Sequence, residues 1–559
     1  MRGDDDRASS GSYGYRTLMP RMSIRKDDDC CTGRCCKASC LIVTSVLVFA
    51  VGLTVIIDLP DYINHELKQT LEVCEGCTSY STWLAPTEPV YMSFFVFNVT
   101  NPDDVLDGDR PNVETFGPFT YQELRPRKNV TFMKNGTVKW IQPKTYIPLN
   151  TSFADPNTFE VCTINFPIMF LGSMLDPLLA KLAILPKKVQ KLVLELPKIL
   201  AALSGEDTII CRTVNEILWG LYDPVFERIR WACLNEGQAL YNTAHDILDN
   251  VLRNAILFIA NGLLSVGNLI PEGGIISLQV NGSDDGTWAT YTGETDMQLI
   301  NTLDLYNNSR YVPWWKTDTC NMVNGTDGTQ FHPHVKKTDM LFSFVTDMCR
   351  SIYLIYNGTV ELKGIELSRF TPPPALFDNG TVFEYLKGFC NPRCWPSGTQ
   401  DISLCKGGLP IMASSPHFLY ADPVYLENVT GMNPNFQDHA TIVDIEPMTG
   451  LMLRGNKRLQ INVRVSNISF LPGGYALREC FLPLFYANES AVVSDAHAAK
   501  LRNTLKPLSI IKILQWCFLA VGIVVFTPTV IYNVRRYRRE NEAIDVPEGQ
   551  CTENVPLLN

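Results

Sequence analysis

Histidine is scarce in this chain, with seven in 559 residues, and basic residues are outnumbered by acidic ones. The formal net charge of −10 leaves no cationic surplus to exchange for counterions on a phosphate backbone, which argues against nucleic acid as a partner. Catalytic signatures are missing as well. There is no G-x-S-x-G elbow, no P-loop and no Rossmann fingerprint. The nearest approach to H-E-x-x-H, His65-Glu66-Leu67-Lys68-Gln69, lacks its second histidine. These absences argue against an enzyme, so no catalytic residue, metal or cofactor is expected.

N-x-S/T sequons are absent from both ends of the chain and from residues 158 to 280. All twelve lie elsewhere, at Asn98, Asn129, Asn135, Asn150, Asn281, Asn307, Asn324, Asn357, Asn379, Asn428, Asn467 and Asn488. Twelve acceptors confined to one long interval argue for a secretory route for that interval.

Two uncharged apolar runs bracket the same interval. Ala38 to Ile57 and Ile513 to Tyr532 are each about 20 residues, the length that crosses ~30 Å of hydrocarbon. Pro528 near the end of the second is tolerable in such a helix. A cleaved signal peptide competes for the first run. However, that run begins 37 residues in and is followed by DLPDYINHE, with no small-residue cleavage site. Arg21, Arg25, Lys26, Arg34 and Lys37 precede the first run, and Arg535, Arg536, Arg538 and Arg539 follow the second. Positive flanks stay inside, so both tails are expected in the cytoplasm. The expected division is an N-tail at 1–37, a span at 38–58, a lumenal or extracellular body at 59–508, a span at 509–533 and a C-tail at 534–559.

Eighteen cysteines are many for a cytosolic chain of this size. Cys30, Cys31, Cys35, Cys36 and Cys40 crowd the cytosolic side of the first span, where reduced juxtamembrane thiols read as palmitoylation sites. Zinc competes there, but adjacent pairs are poorly spaced for tetrahedral ligation and no histidine is near. Cys74 and Cys77 form a C-x-x-C pair with no thioredoxin-like βαβ pattern around it, so a local structural disulfide is expected.

Short alternating runs from Val90 to Ile147 and from 273 to 505 read as strands, and Asn135-Gly136 between two of them is a hairpin signal. From 167 to 270 apolar residues instead recur at three and four, marking amphipathic helices. Pro177, Pro186, Pro197 and Pro224 cut these helices into short rods.

Several long motifs fall in this body. They include YMSFFVFNVTNPDDVLDGDRPNVETFGPFTYQE from Tyr91, TVNEILWGLYDPV from Thr213 and GTWATYTGETD from Gly286. CNMVNGTDGTQFHP, FVTDMCRSIY, DISLCKGG, PHFLYADP and DHATIVDIEPMTGLMLRGNKRLQINV follow. Together they resemble the class B scavenger receptor family over about residues 90 to 490, most like its endolysosomal members. The resemblance implies an α+β fold: a large antiparallel β-barrel ectodomain threaded by a hydrophobic tunnel, a helical-bundle apex, and two transmembrane helices. Two features depart from the pattern. The stretch from about Cys233 to Gly273 is longer, and the Cys74–Cys77 pair has no counterpart.

By the same resemblance, Cys349–Cys405 and the tight Cys390–Cys394 are expected as disulfides, with Cys320 left over; Cys320–Cys390 is the competing pairing. Cys162, Cys211, Cys233 and Cys480 are left unassigned. Closing the 56-residue loop stabilises by ~4 kcal/mol on the chain-entropy model. His332-Pro333-His334 looks like a metal pair, but FHP lies inside a family motif and no third ligand is nearby, so a structural role is expected. Lys187, Lys188, Lys191 and Lys198 are either a solvated face or, as the family's apex implies, a basic ligand-binding surface. Glu553 four residues before Leu557-Leu558 has the form that clathrin adaptors read as an endolysosomal address, with the plasma membrane as the alternative.

The function implied is a scavenger-type receptor and lipid transporter that passes cholesterol, phospholipid or fatty acid through a tunnel. Lipids or lipoproteins are the expected partners, and a lumenal hydrolase is a further one. A two-span ligand-gated ion channel subunit is the alternative, disfavoured because Gln515 is the main polar residue in either span.

Overall fold

The computed structural model describes residues 34–166, 168–170, 208–222, 224–245, 280–466 and 476–544, with isolated positions between 253 and 276. The chain divides into two compact units, one of residues 1–63 and 505–559 and the other of 64–504.

Two helices are long and apolar enough to cross a membrane, at Val46–Leu71, of which residues up to 63 belong to the first unit, and at Ile513–Arg539, wholly within it. They touch through glycine. A Cβ on Gly52 would lie 3.4 Å from the backbone nitrogen of Leu519, and one on Gly522 would lie 3.2 Å from the Cα of Phe49. Small residues let helix backbones approach where lipid supplies no hydrophobic driving force.

The second unit is strand-rich. Its early strands are β1 Val90–Val99, β2 Val113–Leu124, β3 Lys128–Phe132, β4 Thr137–Pro143, β5 Thr145–Pro148, β6 Glu160–Ile164 and β7 Ile209–Thr213. Next come β8 Leu221–Tyr222, β9 Ile275–Ile276, β10 Asp284–Tyr291, β11 Leu303–Tyr306, β12 Leu341–Val345 and β13 Arg350–Leu362. The last are β14 Ile365–Thr371, β15 Thr399–Asp401, β16 Ile411–Ser414, β17 Ile442–Ile445, β18 Met452–Val465 and β19 Cys480–Val492. The alternation read in VYMSFFVFNV holds: Val90, Met92, Phe94 and Val96 are buried on one face of β1. The Asn135-Gly136 pair turns β3 into β4 as read, with Gly136 at φ +74°.

The large sheet runs β12-β13-β14-β17-β18-β19-β1-β2-β5, all antiparallel, with β16 also on β18. It is open, not the closed barrel expected. The two end strands do not pair with each other because loops cover them instead. Thr326 bonds along β12 at Phe342 and Phe344, and Asn281 bonds Tyr146 of β5. Gly325 permits the first contact, since a Cβ there would sit 2.1 Å from the Phe342 carbonyl. Covering an edge with a loop removes the unpaired N–H and C=O groups that would invite aggregation. A separate four-stranded sheet, β11-β10-β4-β3, stands beside it in the chain.

Of the expected helical apex, Val214–Trp219 and Pro224–His245 are helices; most of 167–207 and 246–270 lies outside the described residues. Thr213 and Glu216 form a capping box at the start of the first helix, which satisfies two orphan backbone donors.

Among the described residues four disulfides are present: Cys74–Cys77, Cys162–Cys211, Cys349–Cys405 and Cys390–Cys394. The second ties directly opposed residues of β6 and β7. Cys233, Cys320 and Cys480 are buried free thiols. Non-reducing peptide mapping should therefore recover these four linkages and alkylate Cys233, Cys320 and Cys480 only after unfolding. Recovery of a Cys320–Cys390 peptide from native protein would refute the pairing.

Candidate functional site

Strand parity assembles the site. Met92 of β1 lies opposite Glu489 of β19 and Tyr121 of β2, while Val90 lies opposite Ala491 and Glu123. Across the next ladder, Glu489 is opposite Lys457 and Ala491 opposite Gly455 of β18. Side chains two apart on a strand share a face, so Glu123, Lys457 and Glu489 project to the same side of the sheet. Arg125 and Lys144 join them from the turns after β2 and β4, Asp285 from β10 and Asp347 from the turn after β12.

These charges meet in pairs. Lys457 Nζ lies 2.6 Å from Asp347 and 3.4 Å from Glu489. Lys144 Nζ lies 2.5 Å from Asp285, and Arg125 pairs with the other oxygen of Glu489. A further pair, Arg127–Asp327 at 2.7 Å, stacks its guanidinium on Trp83 and Trp140, 4.8 and 4.6 Å from their ring centres. Burial opposes charge on Asp347 and Glu489, yet Lys457 and its cationic neighbours hold both well below the usual carboxylate range. Burial likewise opposes charge on Lys457 and Lys144, and the surrounding carboxylates raise both above the usual lysine value.

Glu123 is the exception. It is 3% exposed, its nearest cation is Arg125 at 3.9 Å, and neither carboxylate oxygen has a hydrogen-bond partner among the described residues. Burial, then the neighbouring charge of Glu489, pushes its pKa up to about 7.

Between this charged wall and an apolar one lies a cavity of about 130 Å³. Trp288, Phe331, Phe344, Ile352, Leu354 and Met452 form the apolar side, and Arg125, Lys144, Asp285, Lys457 and Glu489 the polar side. Gly455 keeps the space open, since a Cβ there would come within 2.6 Å of Met452 Sδ. A second cavity of about 50 Å³ shares Val345, Ile352, Thr441 and Lys457 with the first and reaches Tyr420, a residue 49% exposed. The arrangement suits a molecule with one polar and one apolar end.

The residues singled out in the sequence are mostly elsewhere. Lys187, Lys188, Lys191, Lys198, Cys30, Cys31, Asn467 and the tail bearing Glu553, Leu557 and Leu558 lie outside the described residues. Cys35, Cys36 and Cys40 fall on the helix Arg34–Leu71. Asn129, Asn135, Asn150, Asn281, Asn307 and Asn357 are exposed, whereas Asn98, Asn324, Asn379, Asn428 and Asn488 are half-buried. His332 lies 3.7 Å from Asp339 and His334 bonds Asn64, so the two face different partners. The buried charges were missed. Their signal was there, in lysine and glutamate at inward-facing positions of the runs KRLQINVRV and FLPLFYANES.

A CD36 family model matches residues 41–532. Lysosome membrane protein 2 of Mus musculus is 31% identical over 534 residues, covering 94% of this chain and 99% of that protein. Its namesake in Homo sapiens is 30% identical over 505 residues, covering 88% and 93%. Scavenger receptor class B member 1 of Sus scrofa is 27% identical, covering 89% of each.

Glu123 sets a pH dependence. Its pKa in the fold is above the ordinary 4.5, so its protonated form favours the folded state: that stabilisation is complete below about pH 4.5 and lost as pH rises through about 7. Asp347 and Glu489 act oppositely, and their contribution fades in stronger acid. Burial lowers the pKa values of His417 and His439, which therefore oppose Glu123 over the same range, so its contribution is read as the difference in melting temperature between wild type and Glu123→Gln as pH falls from 7.5 towards 5. Glu123→Gln should stabilise the protein at pH 7.5 by up to about 3 kcal/mol, and that gain should shrink towards pH 5. A difference that stays constant with pH would exclude Glu123 as a source of the dependence.

Proposed function

The chain belongs to the CD36 family, and from that premise we propose that it is a scavenger-type receptor and lipid transporter of endolysosomal membranes. The observation that carries this reading is the cavity with one charged and one apolar wall inside the strand-rich unit. A lipid has the same division. Apolar lining spares each buried methylene ~0.8 kcal/mol of exposure to water, while paired charges give a head group fixed dipoles without demanding a net charge. The cavity's volume suits a head group or a short length of chain, and the second cavity extends the space past Val345 and Ile352. We read these two side chains as a constriction on the route taken by the lipid.

The rest of the reading follows from the spans and the relatives. Two apolar helices hold the chain in the bilayer with both tails cytosolic, the sequons glycosylated and the cysteines from Cys30 to Cys40 palmitoylated. Relatives named for the lysosome membrane support an endolysosomal address. Glu553 and Leu557-Leu558 would supply it to clathrin adaptors. The lysines from Lys187 to Lys198 would meet anionic ligands or a lumenal hydrolase.

Two experiments test this. Val345→Trp should obstruct the constriction and cut uptake of labelled cholesterol ester or fatty acid at least severalfold, with surface-delivered protein unchanged. Normal uptake in that variant, or ionic current without lipid transfer in reconstituted protein, would reject the route. Replacing Leu557 and Leu558 with Ala should move the steady-state pool to the cell surface; an unaltered distribution would dismiss the address.

A further inference from the structure

Among the described residues two arginines are buried, Arg127 and Arg350, and of these Arg127 has a carboxylate partner. Arg125 pairs with Glu489 and Arg127 with Asp327. Arg350, at the start of β13 and 4% exposed, has none among the described residues. Its Nη1 donates to Gln400 Oε1 at 2.8 Å and weakly to the Leu376 carbonyl at 3.5 Å, and its Nε donates to the Ser351 carbonyl at 3.3 Å. Its charge lies 3.4 Å from the centre of the Phe389 ring. Every one of these acceptors is neutral. An uncompensated buried cation costs several kcal/mol, which neutral acceptors do not restore. Burial accordingly pulls its pKa down to about 10.

Beside it lies an orphan donor. Gln400 Nε2 is buried and has no hydrogen-bond partner. The amide cannot be turned round, because Nε2 would then face the guanidinium, donor against donor. Both residues line a cavity of about 20 Å³. A single water needs about 10–15 Å³, so this space takes one small species.

Two carboxylates also line the cavity, and both are occupied. Asp378 accepts from the backbone N–H groups of Gly380, Val382 and Phe383 and from the hydroxyls of Thr381 and Ser397. Asp401 accepts from the backbone and hydroxyl of Ser403 and from the indole of Trp395. Neither is within 4 Å of the guanidinium.

We propose that this cavity binds a monatomic anion of the halide class, held between the Arg350 guanidinium and the Nε2 amide of Gln400. A water would satisfy Gln400 and leave the cation uncompensated; a halide does both. Bound there, it ties β13 to the segment 377–401 that carries the Cys390–Cys394 disulfide.

The test is thermal melting of the full-length protein in detergent, with chloride exchanged for gluconate at constant ionic strength. Gluconate is far too large for the cavity. Chloride should raise the melting temperature saturably, by about 2 °C or more. Gln400→Glu builds an anion into the wall, so the variant should match or exceed the chloride-loaded wild type and lose its response to chloride. Arg350→Met, close in volume and uncharged, should also lose the response. Equal melting of the wild type in the two salts would mean that water fills the site and would overturn the proposal. A chloride response that persists in Gln400→Glu would overturn it too, whether or not Arg350→Met folds.

Discussion

Lys457 lies between Asp347 and Glu489, and the interior of the strand-rich unit is organised around that contact. A lysine in the middle of a 14-residue strand, facing inward, is tolerable only if carboxylates arrive to meet it. They come from distant parts of the chain: Glu489 by the β18–β19 register, Asp347 from the turn after β12. Lys457 and Asp347 keep 35% and 30% of their side-chain surface exposed, so removing one partner costs less than the ~3–5 kcal/mol of a fully buried pair. The network still fixes register. Slipping β19 by one residue would turn Glu489 outward and Asn488 inward, leaving Lys457 and Arg125 short of a partner.

The same network accounts for the cavity. The charged side chains line one side of the space, and β18, the strand that carries Lys457, has Gly455 two residues earlier, where a Cβ would meet Met452. The facing wall of Trp288, Phe344 and Ile352 belongs to strands outside the β18–β19–β1–β2 core of the sheet. Space thus survives where a polar surface of one group of strands meets an apolar surface of another. A fully apolar interior would have collapsed there, since cores pack to the density of organic crystals.

Local signals were legible in the sequence and non-local ones were not. Asn135-Gly136 announced its hairpin because a two-residue chemistry decides it, and the two apolar runs announced themselves by length alone. The alternation in Val90–Val99 was equally plain. Whether the sheet closes depends instead on what reaches its edge strands, and Gly325 lets a loop reach β12 first. Nothing in the run NMVNGTDGT distinguishes that approach from an ordinary turn. The candidate site was illegible for a related reason: Glu123, Asp285, Asp347, Lys457 and Glu489 are scattered over more than 360 residues, and only strand register brings them together. Parity along KRLQINVRV marked Lys457 as inward-facing. Its partners could not be read from parity.

Glu123 and Arg350 make the same argument with opposite signs. Each is buried, each lacks a countercharge within 3.5 Å, and each has a pKa moved by burial towards its neutral form. Stability alone would favour an apolar residue of similar size at both positions. The two are nonetheless not equivalent. A carboxyl can discharge itself by binding a proton in mild acid, so Glu123 resolves its own cost when the surroundings acidify. A guanidinium cannot, because even at a pKa of about 10 it stays charged at any pH the protein meets. The remedy for Arg350 has to come from outside the side chain, and the cavity and the unpaired Gln400 amide beside it leave room for a negative ion to supply it.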